Sequence, residues 1–292
     1  MEARVDPSDY YDLLPPNLHR TGDIWKHLPN FDLVSPRPTS GLVVTPACDL
    51  AQRKVETVTF LPILTISEYL NSSGFFFELW LEATVTLQKL GLTHLVIPPE
   101  RFELPLVEEL DLALTTARQI AVQDPQKSSH VARLAAYTDY VRKRQTNALS
   151  SLTDVGKVFI GNNFDKLLKR LTTNGYKADI HFLPCDGKPR ESSAVPEHSV
   201  VLFRYASSIP VCLLDIAQVS TQPQWNEGAT RIFQGMEGLM PHFRVCPIRL
   251  ATVKDDFLSD LLSRYVGMQI RLGSRDFTDE TIEHVVRQLK EE

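Results

Sequence analysis

The sequence predicts an α+β protein: a small β-barrel or mixed sheet, interrupted by an inserted helical bundle and followed by C-terminal helices. Three observations carry this. Runs rich in β-branched and aromatic residues dominate up to residue 66. Apolar residues then recur at helical spacing to residue 175, and strand-like runs resume at Tyr176. Neither set of strands is large enough to bury both of its faces alone, so strands from both sides of the insertion are expected to share one sheet or barrel. The expected divisions are 1–66 (an N-terminal arm and the first half of the barrel), 67–175 (the helical insertion) and 176–292 (the second half of the barrel plus C-terminal helices).

Residues 1–20 contain Asp6-Pro7 and Pro15-Pro16 and read as an extended arm whose Tyr10 and Tyr11 are available to pack on a neighbour. Gly22-Asp23-Ile24-Trp25 opens the first strand, Leu42–Thr45 is a continuous buried-type run, and Val55–Ile63 is rich in Val, Thr and Phe. A first helical stripe runs through Leu79, Trp80, Ala83, Leu87 and Leu90. A second, which Pro105 can open, runs through Leu106, Leu110, Leu114 and Ala117. Asp124-Pro125 supplies an N-cap and a first-turn proline for a third helix through Val131, Leu134, Ala135 and Val141. A fourth starts at Asn163, carries Phe164, Leu167, Leu168 and Leu171, and stops at Asn174-Gly175. Alternation over Tyr176–Phe182 places Tyr176, Ala178, Ile180 and Phe182 on one face, and Lys177, Asp179 and His181 on an opposite, polar face. Ser199–Tyr205 and Ile209–Asp215 are expected strands joined by a short turn. Residues 218–247, with Gly228, Gly235, Gly238, Pro241 and Pro247, read as irregular. Helices beginning at Asp255 and Thr278 close the chain.

A net charge of -5 argues against a globally basic nucleic-acid coat. Cys48, Cys185, Cys212 and Cys246 lie far apart with no C-x-x-C pair, as expected in a reducing compartment. The N-terminus is acidic and has no apolar signal core, so the expected location is cytoplasmic. No apolar segment approaches the roughly 18 residues that a membrane span needs, and no membrane association is expected. The chain has no P-loop, dinucleotide fingerprint, H-E-x-x-H or G-x-S-x-G, and no cofactor is expected.

"GDIWKHLP" from Gly22, "GLVVTP" from Gly41 and "VETVTFLPILT" from Val55 resemble three strands of the MazF/PemK ribonuclease-toxin family. Those strands typically read G-D-I-W/V, R-P-x-L-V-L-S and V-x-V-A-P-I-T-S. "HSVVLFRYASSIPVCLLD" from His198 resembles the family's closing strands and terminal helix, whereas the helical insertion is foreign to it. The resemblance implies an SH3-like barrel. For activity it implies an arginine entering the second strand and a Thr/Ser pair after the third. Here Thr39-Ser40-Gly41 fills the strand entry with Arg37 two residues earlier, and the hydroxyl pair becomes Leu64-Thr65. A ribonuclease of this type needs a cation for the phosphorane charge and a group to move the 2′-OH proton, so the resemblance implies a scaffold more than an activity. Cys48-Asp49-Leu50 resembles variants of this strand in proteins of bacterial defence islands. The expected function is a non-catalytic binding or regulatory subunit of a bacterial assembly, with antiphage defence as its setting. A divergent endoribonuclease using Arg37 and Thr65 is one alternative, and a Cys/His thiol hydrolase or transferase is another.

Cys48 at a strand end, His181 as base and Asp49 or Asp179 to orient the ring have the residue types of a thiol enzyme. The same residues also fit a small buried thiol beside a turn-capping aspartate. Cys48, Cys185, His181 and His198 lack any metal-ligand spacing, and no metal is expected. Arg142, Lys143 and Arg144, with Lys169 and Arg170 on the next helix, would form a basic face for RNA or DNA if the helices lie side by side. Otherwise they form a solvated flank. One helix cannot point Phe75, Phe76, Phe77 and Trp80 into a single core. These residues are candidates for a protein-partner surface, or for burial between barrel and insertion.

Overall fold

β4 (Thr57–Thr65), the longest strand, pairs with residues from both sides of the helical insertion and organises the sheet. The structure, a computed structural model, describes residues 7–13, 18–29, 38–100, 103–189, 191–233 and 241–270. Arg37 and the helix expected from Thr278 lie outside the described residues. Before β4 come β1 (Tyr11–Asp12), β2 (Asp23–Leu28), β3 (Thr39–Val43) and the short α1 (Ala47–Ala51). The insertion holds α2 (Ile66–Leu70), α3 (Ser73–Leu90), α4 (Val107–Gln123), α5 (Ser128–Gln145), α6 (Leu152–Gly156) and α7 (Asn163–Thr172). Then follow β5 (Ile180–Leu183), β6 (Ser199–Leu202), β7 (Ser207–Pro210), α8 (Val211–Val219), α9 (Gln222–Ile232), β8 (Ile248–Val253) and α10 (Asp255–Gln269).

The strands form one antiparallel sheet in the order β1-β8-β2-β3-β4-β6-β5, with β7 also on β4. β4 gives Thr57–Phe60 to β7 and Ile63–Thr65 to β6. Pro62, which has no N–H to donate, falls at the switch between the two partners, where a proline is tolerated in an otherwise central strand. The sheet is open, because no ladder joins β1 to β5, so the closed barrel expected from the sequence is not confirmed. β1 has only two residues, and the Asn174 side chain accepts the Phe182 N–H at 2.6 Å on β5, which occupies a ladder donor of that strand. The two ends meet through side chains instead. The Tyr11 hydroxyl donates to the Pro184 carbonyl, and Tyr10 Oη lies 3.3 Å from His181 Nε2.

Both faces of the sheet are buried. On one face Trp25, Leu28, Val43, Val58 and Phe60 pack with Leu213 and Leu214 of α8 and Trp225 of α9. Further along that face, Leu64, Ile180, Val200 and Leu202 enter the core of the helical insertion. On the other face Ile24, Leu42, Leu61, Ile63 and Val201 pack with Tyr11, Phe203 and α10. An odd residue separation would normally send Trp25 and Leu28 to opposite faces. A bulge between them, with His27 at φ 65°, brings both into one core. Gly41 is required beside it, since a Cβ there would lie 2.6 Å from the Phe60 ring and 2.8 Å from Leu28.

Four sequence expectations are corrected. Tyr10 and Tyr11 belong to the protein's own fold, with Tyr11 buried and Tyr10 stacked on Phe257. The Ile209–Asp215 strand is instead the end of β7 followed by α8. A continuous apolar run suits a buried helix as well as a strand, and this one buries Leu213, Leu214 and Ala217. The stretch 218–247 contains α9, anchored by buried Trp225, whose Nε1 donates to the Phe243 carbonyl at 2.8 Å. The face of β5 that carries His181 is buried rather than polar: His181 is 1% exposed and faces Phe203.

Candidate functional site

α3 is apolar on two opposite sides. Phe75, Leu79, Ala83, Leu87 and Leu90 recur at i, i+4 spacing with one step of three, and all are buried in the core of the insertion. Phe77, Leu81 and Val85 repeat the same spacing displaced by two residues, which is about 200° around the helix. They are 46%, 46% and 39% exposed, a stripe about 12 Å long facing away from the core. Gly91, at φ 73°, ends the helix, and Ser72 opens it.

This resolves the aromatic cluster. Phe75 is fully buried against Tyr69, with ring centroids 5.4 Å apart. Phe76 lies against Tyr140 at 6.2 Å and Trp80 against Tyr137 at 6.3 Å, so both join the core as partly buried residues. Of the four candidates only Phe77 is an exposed contact. Leu81 and Val85, which the aromatic signal did not include, complete the stripe. Their i, i+4 spacing from Phe77 was the available signal.

Thr65 lines a separate cleft of about 440 Å³ with Lys26, His27, Thr39, Ser40 and Glu68. Pro38, the residue after Arg37, lines it too. Thr65 caps α2: its hydroxyl accepts the Glu68 N–H at 3.1 Å while the Glu68 carboxylate accepts the Thr65 N–H at 2.8 Å. Glu197 adds a second carboxylate to the lining against the one ammonium of Lys26.

Cys48 is exposed and Asp49 half-buried in α1, the sulfur 3.6 Å from Asp49 Oδ1. The buried-thiol reading is therefore corrected, as is the capping role, since Pro46 stands at the N-cap and α1 has no side-chain cap. His181 shares no hydrogen bond with either residue, and its one polar partner is Tyr10. Burial and the Arg264 cation lower its pKa to about 4, so the ring is neutral, and its Nδ1 has no partner.

The basic residues are largely engaged within the protein. Arg142 binds Asp111 at 2.7 Å, and Lys143 binds Asp139 at 2.9 Å and Asp154 at 3.2 Å. Arg144 donates to the Ala148 carbonyl, and Arg170 donates to the carbonyls of Gly175 and Tyr176 after α7. Lys169 is exposed. Among the described residues, no group of three or more His, Cys, Asp or Glu side chains is arranged to hold a metal ion. No described helix is long and apolar enough to cross a membrane. Comparison with family models, with curated proteins and with solved structures finds no match to this chain.

Proposed function

We propose that the protein is a non-catalytic binding or regulatory component of a larger assembly, and that the outward face of α3 docks its protein partner. The Phe77–Leu81–Val85 stripe carries the reading. A helix apolar on all sides is ordinarily buried on all sides, and α3 has a second apolar face that its own fold leaves open. A bacterial antiphage assembly is the setting supported by the Cys48-Asp49-Leu50 resemblance, and the MazF/PemK-like strands support an SH3-like ancestry for the sheet. The test compares wild-type protein with the Phe77→Asp/Leu81→Asp variant as baits in native host cells. The variant is expected to keep its stability within about 1 kcal/mol, because neither residue belongs to a core cluster. It is also expected to lose the partner that wild-type bait retains, by at least about ten-fold, as when central apolar anchors are removed. The same partner retained equally by both baits sinks the reading.

A divergent endoribonuclease is the second reading, supported by Thr65, Thr39 and Ser40 converging on one cleft beside Pro38. Two carboxylates against one ammonium in that lining disfavour a phosphate backbone. The expected result is no sequence-specific cutting of a long mixed-sequence RNA by the purified protein. Cuts at a short motif that vanish in Thr65→Ala would promote the ribonuclease over the binding component.

A further inference from the structure

The fold pairs a cysteine and a histidine that the sequence leaves 13 residues apart. Cys185 follows β5 and His198 precedes β6, and the antiparallel ladder that ends at Leu183 and Ser199 sets them side by side. Cys185 Sγ lies 3.8 Å from His198 Nε2, and the thiol is partly exposed.

The histidine is held in place. Its carbonyl accepts the Ile66 N–H at 3.0 Å, its ring centroid lies 5.6 Å from that of Phe182, and its Nδ1 accepts the Cys185 N–H at 3.0 Å. That last bond decides the chemistry. A backbone N–H can only donate, so Nδ1 presents its lone pair and the proton of the neutral imidazole sits on Nε2, facing the sulfur. His198 is therefore a hydrogen-bond donor to Cys185, not a base for it. The thiolate is the attacking form in thiol–disulfide exchange, and a donor already aimed at the sulfur gives that form a charge-assisted hydrogen bond.

The other three cysteines are placed differently. Cys48 has a carboxylate oxygen, Asp49 Oδ1, at 3.6 Å, which opposes negative charge on its sulfur. Cys246 is 7% exposed, and burial pushes its thiol pKa up. Cys212 is exposed in the first turn of α8 and serves as the accessible comparator.

We propose that Cys185 is a modification site for low-molecular-weight disulfides, with His198 as the donor to its sulfur. Cys185 gives up its thiol proton to solvent, and the sulfur attacks one sulfur of the disulfide. A mixed S–S bond forms, the original S–S bond breaks, and the released half leaves as a thiolate that takes a proton from water. Cys185 is oxidised and the released half is reduced, so the exchange needs no further oxidant. The adduct stands beside Pro184, whose carbonyl accepts the Tyr11 hydroxyl across the open end of the sheet. The proposal does not rest on the partner-docking reading, because α3 takes no part in it.

The full-length reduced protein is incubated with oxidised glutathione at neutral pH, and samples are quenched over time with an alkylating reagent. Peptide mass spectrometry then gives the mixed-disulfide occupancy of each cysteine. Cys185 is expected to react about ten-fold faster than Cys212 or Cys48, the scale of one hydrogen bond to a charged group. Cys246 is expected to stay unmodified in the folded protein, and dithiothreitol to release the Cys185 adduct. His198→Phe removes the donor and keeps a ring beside Phe182. It is expected to slow Cys185 to the Cys212 rate or below, while unchanged Cys48 and Cys212 rates report an intact fold. Cys185 reacting no faster than Cys212 overturns the site. A Cys185 rate that His198→Phe leaves unchanged overturns it as well, because access alone would then account for the reaction.

Discussion

Asp23→Ala is expected to destabilise the protein by about 3–5 kcal/mol, the range for removing one partner of a buried charge pair. Asp23 is fully buried at the start of β2, and its Oδ2 lies 3.1 Å from Nη1 of Arg249, itself only 8% exposed. Thr252 donates its hydroxyl to Oδ1 at 2.6 Å, and the Arg20 N–H donates to Oδ2 at 2.9 Å. One carboxylate therefore joins the entry loop to β2 and β8. Removing it leaves the Arg249 guanidinium, which lies 5.8 Å from the Trp25 ring, without its anion in a desolvated place. Asp23→Asn, which keeps an acceptor but no charge, should fall between wild type and alanine. Urea unfolding midpoints for the three proteins check this. An alanine variant within about 1 kcal/mol of wild type would show the network to be dispensable.

Acid sensitivity centred on His181 is the second large effect. Its pKa is lowered to about 4 in the folded protein, by burial first and by Arg264 second, with Asp260 opposing. In the unfolded chain it returns to about 6.5. Between those values the unfolded state binds the proton and the folded state does not, so stability rises with pH across the window and is lost as pH falls through it. Once pH reaches about 4 the loss from this residue is about 3 kcal/mol. Tyr10, whose own pKa burial raises to about 12, stays protonated throughout and supplies no compensating charge. His181→Phe, placed beside Phe203, removes the titration and should flatten the dependence between pH 6.5 and 4. An identical pH profile in variant and wild type would mean that the buried ring does not titrate with folding.

The order of the elements was legible because it rests on local periodicity. Leu79, Ala83, Leu87 and Leu90 read as a helix face and lie in the core of the insertion. Asp124 Oδ1 accepts the Gln126 N–H, as its place before Pro125 predicts, and Asn174, after α7, takes the left-handed backbone that ends a helix. α8 was missed because the six-residue apolar run Ile209–Leu214 fits two periods equally. α9 was missed because Gly228 and the surrounding glycines and prolines outweighed a short-range cue. Thr221 and Gln224 stand at capping-box spacing, and the Gln224 side chain accepts the Thr221 N–H at 2.9 Å. Thr65-Ile66-Ser67-Glu68 was the same cue at α2.

The candidate sites were less legible, and the reason is that burial is a property of the whole chain. Residue type named Cys48 and His181 together, yet one is exposed on α1 and the other is enclosed by Tyr10, Phe203 and α10. Composition marked Arg142 and Lys143 as a basic surface; Asp139 was a local i, i+4 partner for Lys143, and packing added Asp111 and Asp154 from other helices. Three consecutive phenylalanines announced an apolar excess on α3 without saying which ring faces out. The sequence alone determined that strands flank a helical insertion, because hydrogen-bonded elements impose periods that the chain must match locally. Tertiary structure alone decided that the sheet stays open, that both its faces are covered, and that α3 keeps one apolar stripe exposed. Those outcomes depend on which distant segments arrive to bury a surface, and no local period encodes that arrival.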